Sequence, residues 1–380
     1  MSQKASYQCI FLLGLVSLLA DATYDGLKSI TGQYLGILGA SGAVVGAVAG
    51  LGECSGHLFR ISYKASTRKK TSSFFTLLGY SINALVAPLL ALSSTWPVAA
   101  VLFVFQRFGK AVRRPPRDAL LSHLAEKTGP GFGFGTHEAL NRIGAVLGPA
   151  IVTLILLTQD SYALAFVLLS IPAIASLPAL MLTRKHLPKR NLLTPKPRPK
   201  PPLSRPYWRI VAALSLIAGG TIHFSILSYH VQKTALFDPR FVPLLFSLAM
   251  ATEGLAAIGI GHLYDRFRAK ALIPALTLSL LSPPLIFLGS PLILVIGSML
   301  WSVTMAILES LSRALITDFA PPCQRGKAFG MFHCCFALCW LIGSVLTGWL
   351  YDRSIPLMIG VAILIQASAI PVLWSTNKSH

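Results

Sequence analysis

Apolar runs recur along this sequence, broken by Gly, Pro and short charged stretches, at close to the 20 residues a helix needs to cross the hydrocarbon of a bilayer. They predict helical spans near 8–36, 40–62, 73–92, 96–121, 133–158 and 162–183. A second set follows near 208–232, 241–262, 270–289, 291–317, 326–350 and 354–374. Between the sets, residues 184–206 carry seven prolines and eight basic residues. Such a segment predicts a semi-extended charged linker joining a first bundle, 1–183, to a second, 207–380. At the N-terminus, Lys4, the run Ile10 to Leu19 and Ala20-Asp21-Ala22 imitate a cleaved signal peptide. Mostly apolar helical sequence resumes after Asp25 and runs to Leu38, which predicts an uncleaved first span.

The two sets match each other at a shift of 195 residues, where Ala119, Leu120 and Leu121 fall on Ala314, Leu315 and Ile316. Phe134 and Gly135 fall on Phe329 and Gly330, and Gly148 on Gly343. The predicted fold is all-α and integral to the membrane: twelve transmembrane helices in two six-helix bundles related by a parallel repeat. That is the layout of transporters that rock two bundles about a site near the midplane.

Composition supports this picture: 54% of the residues are apolar and 12% charged, about half the charge of an ordinary soluble domain. The net charge of +20 does not change it. If the first span starts inside, all of the Lys and Arg fall on even-numbered loops and termini except Lys28, Arg107, Arg142, Lys233, Arg240, Arg313 and Arg353. That bias orients the chain with both termini cytoplasmic. A nucleic-acid partner would instead need its cations gathered on one soluble face. The six cysteines lack metal-ligand spacing and read as small packing residues, so no metal site is expected. No nucleotide-binding run and no catalytic motif occurs, which argues against ATP-driven transport, a cofactor or an enzyme.

Ionisable residues inside spans are costly unless paired or hydrated, so each is a candidate site residue. Asp21 and Asp25 lie one turn apart, with Lys28 following on nearly the same face. Glu53, Arg107 and Glu253 lie at similar depth, and the five residues Asp21, Asp25, Glu53, Arg107 and Glu253 are expected to line one cavity that binds solute and protons. The bland alternative is a set of fixed pairs of Asp21, Asp25 or Glu53 with Arg107 or Lys28. Glu53 and His57, one turn apart, suit a proton relay, and His223 and His230 suit either substrate contact or packing. Under the repeat, Arg114 maps onto Glu309 and Asp118 onto Arg313, so the charges swap between halves. With Arg117 they form a candidate cytoplasmic gate, either latching the bundles or pairing locally as Arg114 with Asp118 and Glu309 with Arg313.

Several runs resemble the major facilitator superfamily. GHLYDRFRAK, Gly261 to Lys270, resembles that family's signature loop. The resemblance implies that Gly261 allows close helix approach, that Asp265 caps and pairs, and that Arg266 and Lys270 hold the cytoplasmic side. The equivalent first-half loop departs from the pattern, with Arg60 and Lys64 in place of Gly and Asp. RFGKAVRRPPRDALL, from Arg107, and DATYDGLKSITGQYLGILG, from Asp21, resemble a poorly characterised group of bacterial permeases. GAVLGP, with Gly144, Gly148 and Pro149, resembles the signature of exporters and antiporters, although Val152 and Thr153 replace its trailing glycines. Small residues four apart also arise from helix packing alone. The resemblance implies a monomeric, lipid-embedded secondary transporter of a small solute in the bacterial inner membrane, working as a proton-coupled exporter. Import by symport, or a receptor or scaffold that no longer transports, are the alternatives.

Overall fold

A computed structural model describes residues 3–63, 69–185, 203–267, 272–321 and 324–376 of the 380. The described residues form helices joined by tight turns, with no strand among them. Six passes come first: α1 Gln3–Ile37, α2 Gly42–Tyr63, α3 Lys69–Ala91, α4 Trp96–Thr128, α5 Pro130–Gln159 and α6 Tyr162–Lys185. Most of the linker, and Lys64, lie outside the described residues.

The second set is more broken. α7 Arg205–Gly220 and α8 Phe224–Thr234 share one pass, and α9 Val242–Phe267 forms the next. α10 Leu272–Ser279 and α11 Ser282–Leu288 follow. α12 Pro291–Ala306 continues through a π-helical turn, Ile307–Leu311, into α13 Ser312–Phe319. α14 Arg325–Arg353, α15 Ile355–Ala367 and α16 Ala369–Thr376 complete the chain.

Nine stretches among the described residues are long and apolar enough to cross a membrane, and Leu272–Leu288 is a shorter apolar helix. With α2 and α4 the arrangement is consistent with twelve passes. α4 falls short on apolarity because it carries Arg107, Lys110, Arg113, Arg114, Arg117 and Asp118. The breaks, absent from the sequence-based spans, have local causes. α7 ends at a Gly-Gly pair, and the ring Nδ1 of His223 caps α8 by accepting the Ser225 N–H at 3.1 Å. Pro283 and Pro284 start α11 afresh, since proline cannot donate to the preceding turn. Outside the packed core, Leu85, Leu92, Leu255, Leu292 and Leu364 are each more than 60% exposed, an outer surface suited to lipid tails.

Within lipid there is little hydrophobic drive between helices, so close approach through small residues carries the packing. Gly144 and Gly148 of α5 lie against the Leu18 and Ala22 carbonyls of α1, where a side chain would overlap the backbone. Gly343, the repeat mate of Gly148, meets the Gly219 carbonyl of α7 in the same manner. α1 is further tied to its own bundle by Thr23 donating to the Leu169 carbonyl at 2.8 Å and Gln106 donating to the Tyr24 carbonyl at 2.9 Å.

We call the end where α1 gives way to α2 the distal end, and the end where α1 begins the proximal end. At the distal end the bundles close on each other. Gly32 of α1 sits on the Ser225 carbonyl, and Gly46 of α2 on the Ser344 carbonyl of α14. Asp352, at the end of α14, accepts the N–H groups of Gly42 and Ala43 at 2.9 Å each, so one bundle caps a helix of the other. In the adjacent distal loop Arg240 donates to Asp238 from backbone and guanidinium, which holds that carboxyl below its usual range.

Gly261, by contrast, has open space where a Cβ would stand, so the close approach implied at the signature loop is absent from this structure. The proximal ends are apart here, and it is the distal glycines that meet. Asp265 and Arg266 are exposed at the end of α9, and Lys270 lies outside the described residues. Gly148→Leu should therefore cost about 3 kcal/mol or more through overpacking, read as a large drop in melting temperature in detergent, whereas Gly261→Ala should leave the melt unchanged.

Candidate functional site

A cavity of about 510 Å³ lies between the bundles, and α1, α2, α4 and α5 face α8, α9, α12, the π turn and α14 across it. Asp21, Asp25, Glu53, Arg107 and Glu253 all line it. Helix geometry explains the convergence. At about 1.5 Å per residue, each lies roughly 16–24 Å from the distal end of its own pass, so antiparallel helices bring them to similar depth.

α4 supplies most of the counter-charge, because positions 107, 110, 113 and 117 recur every three or four residues and share one buried face. Arg113 donates to Asp21 at 2.6 Å and is itself fully buried over the Tyr80 ring. Lys110 bridges Asp21 at 3.5 Å and Asp25 at 3.4 Å, with its ammonium 3.6 Å from the Tyr24 ring centroid. Arg117 reaches Ser17 and Asp118, at 3.3 and 3.0 Å. These α4 cations had been counted with the cytoplasmic basic excess. They are instead the buried partners of α1, because the helix continues to Thr128 and turns them inward. Of the fixed pairs expected from sequence, Glu53 with Arg107 is present at 3.1 Å, whereas Asp21 and Asp25 choose Arg113 and Lys110.

Two polar contacts, one of them an ion pair, cross between the bundles at this level. Arg142 of α5 donates to Glu253 of α9 at 2.6 Å while also reaching Glu138 at 3.4 Å. Arg107 lies 3.1 Å from the Nε2 of His223, which is 3.9 Å from Glu53. A guanidinium and an amide both donate, and a neutral imidazole has one bare nitrogen. Nδ1 is taken by the cap on α8, and Nε2 stands beside both Arg107 and Glu53. Nearer the proximal end His57 meets His333 of α14 at 3.1 Å, and His230 bonds the Tyr351 hydroxyl at 2.9 Å away from the cavity.

The gate residues meet in neither expected way. Arg114, Glu309 and Arg313 line the cavity, yet among the described residues none holds an ion pair within 4 Å, across the bundles or along its own helix. Asp118 takes the adjacent Arg117. The physical reason lies in the opening of the cavity between α4 and the π turn that carries Glu309, which separates the two walls. Arg113 and Arg142 escaped sequence reading as site residues; their signal was an Arg within a predicted span, the same that singled out Arg107. Among the described residues no cluster of three or more His, Cys, Asp or Glu is placed to hold a metal ion.

The family model described as Major Facilitator Superfamily matches residues 10–235 and 210–379, nearly the whole chain. The chain belongs to the major facilitator superfamily. Among relatives of this facilitator, an uncharacterized protein of Mycobacterium tuberculosis (strain ATCC 25618 / H37Rv) is 33% identical over 98% of this chain and 93% of its own length. An uncharacterized MFS-type transporter of Methanocaldococcus jannaschii is 26% identical over 91% of this chain and 89% of its own. The fold resembles the nucleoside transporter NupG, with TM-score 0.75 and 15% identity over 97% of this chain and 99% of that one. It also resembles a bacterial homolog of the human lysosomal transporter Spinster in an inward-facing, unoccupied conformation, with TM-score 0.74 and 10% identity over 100% and 98%. Family and fold thus place this facilitator among integral membrane transporters rather than enzymes.

Breaking one partner of a buried pair strands the other charge, at about 3–5 kcal/mol. Arg113→Met should lower the melting temperature sharply, and adding Asp21→Asn should recover part of the loss. A double variant no more stable than Arg113→Met alone would show that the pair is not what holds α1 to α4.

Proposed function

We propose that this facilitator is a secondary active transporter that moves a small organic solute by alternating access and couples the movement to protons. The observation that carries the reading is the mid-depth polar cavity, walled by both bundles, closed distally and lined by carboxylates that, Glu309 excepted, each have a cation within 4 Å. With the termini cytoplasmic, as the basic loops favour, the distal end faces outward and this conformation is open to the cytoplasm. The membrane is the bacterial inner membrane, and the working unit is a monomer in lipid.

The chemistry of coupling follows from the sharing of Lys110. Asp21 and Asp25 sit on successive turns with one ammonium between them, and Arg113 holds Asp21 as well. A proton arriving on Asp25 releases Lys110 towards Asp21 or towards solute, and loss of that proton draws it back. Across the cavity, protonation of Glu253 would release Arg142 and loosen the contact between α5 and α9. Proton load and bundle contact are thus set by the same ion pairs.

Export by antiport is the favoured direction. The run from Gly144 to Pro149, which resembles that of exporters, packs on the α1 segment that bears Asp21, so it governs where the coupling carboxylate stands. The gate at Arg114, Arg117, Asp118, Glu309 and Arg313 would close the proximal end once the walls approach. The signature loop, Gly261, Asp265, Arg266 and Lys270, would then come into contact.

Purified protein in vesicles of known orientation, carrying a pH-sensitive dye and offered a metabolite and drug library, tests this. A substrate-dependent proton signal should appear in wild type and fall by at least tenfold, about 1.4 kcal/mol, in Asp21→Asn. A signal unchanged in that variant would remove Asp21 from the coupling path. Flux without any proton signal would remove coupling altogether.

A further inference from the structure

The two walls of the cavity differ in chemistry. The wall from α1 and α4 carries most of the ionic groups, while α12 and α14 present aromatic rings. On α14, Phe332, Phe336 and Trp340 follow at a spacing of four, with ring centroids 5.3 Å apart at each step, and Trp301 of α12 joins them. Such a stripe ordinarily belongs to a core, and these rings are largely buried, Phe336 against His57 of α2, yet all of them also line the cavity.

The lining carries seven carboxylates and seven Lys or Arg cations, and because Lys110 and Arg142 each hold two carboxylates, the cations without a close partner outnumber such carboxylates. Among the described residues Lys28, Arg114 and Arg313 hold no carboxylate within 4 Å, and Glu309 is the one lining carboxylate without a cation that close. Lys28 is the deep member of the three. Counted from the distal ends at about 1.5 Å per residue, Lys28, Arg107, Trp301 and Trp340 lie about 13–20 Å down, at one level, whereas Arg114 and Glu309 lie about 27 Å down. Among the described residues the Lys28 ammonium has no carboxylate within 4 Å, and it stands 5.8 Å from the centroid of the Phe246 ring. On the same level two donors are buried and unused: Arg107 Nε and Trp340 Nε1 have no hydrogen-bond partner. Arg107 and Trp340 are 3% and 6% exposed, and both flank His223.

A spare ammonium and two spare N–H groups ask for an oxygen-rich anion, and the ring stripe asks for a flat apolar body. We propose that the solute is a small organic anion with an aromatic body, its anionic group against Lys28 and its ring between Trp301 and Trp340. For an organic cation the one lining carboxylate among the described residues without a cation within 4 Å is Glu309, well below the aromatic level. The proposal names the substrate class for the transport reading and rests on that cavity being the transport site.

The test is isothermal titration of the purified full chain with 1-naphthoate, 1-naphthylmethylammonium and cyclohexanecarboxylate. 1-Naphthoate should bind most tightly. Lys28→Met should weaken it at least tenfold, as loss of one partner of a desolvated charge pair does, and Lys28→Arg should restore most of it. Among the described residues Lys28 holds no carboxylate within 4 Å, and Lys28→Arg, which keeps the charge, controls for any loss of fold read in the melting temperature. Trp340→Leu should narrow the gap between naphthoate and cyclohexanecarboxylate. Tighter binding of the ammonium compound, no binding of naphthoate, or indifference to Lys28→Met would each overturn the proposal. Proton-coupled flux of a neutral or cationic solute in vesicles would overturn it too, while leaving the transport reading intact. Naphthoate that binds through Lys28 but never crosses would keep the site and remove the transport reading.

Discussion

Carboxylates at mid-membrane depth cannot stand alone, and the pairing of α1 with α4 is the constraint on which the remainder of this structure depends. Taking a charge out of water costs several kcal/mol, which only a well-placed counter-charge and further hydrogen bonds offset. Asp21 and Asp25 receive both from Arg113 and Lys110, while Tyr24 and Tyr80 cover the cations with their rings. α4 is consequently the most charged of the passes and the least able to face lipid. It has to lie inside, against α1, with its ionic face on the cavity.

Placing α1 centrally demands that its other sides fit closely. Gly144 and Gly148 let α5 approach until backbone touches backbone, and the second bundle repeats the device with Gly343 on Gly219. The same economy of small residues seals the distal end, where Gly32 and Gly46 bring the bundles together and Asp352 caps α2 across the interface. Closure at one end and opening at the other are therefore two aspects of one rigid-body arrangement. The signature-loop glycine, facing open space here, belongs to the end that is apart.

Much of the architecture was legible from the chain, because the apolar run length reflects the bilayer rather than the partner helices. Repeat-related glycines were legible for a similar reason, since only small residues tolerate backbone contact. The broken passes were less so. The gap after Gly220 depends on a His ring turning back to cap α8, which no run of apolar residues announces. The α4 cations illustrate a further difficulty: a basic cluster at the end of an apolar run reads as an interfacial anchor, and only the helix continuing to Thr128 turns it into cavity lining.

By itself, then, the sequence determined that the chain is helical and membrane-embedded, that its halves are related, and that Asp21, Asp25, Glu53, Arg107 and Glu253 fall within spans. Those properties follow from composition and spacing along a helix, which are local. The tertiary structure alone decided which cation each carboxylate takes, that Arg114, Glu309 and Arg313 hold no ion pair within 4 Å among the described residues, and that an ionic wall faces an aromatic one. These depend on the rotation and separation of helices far apart in sequence, where a displacement of a few ångströms exchanges one ion-pair partner for another.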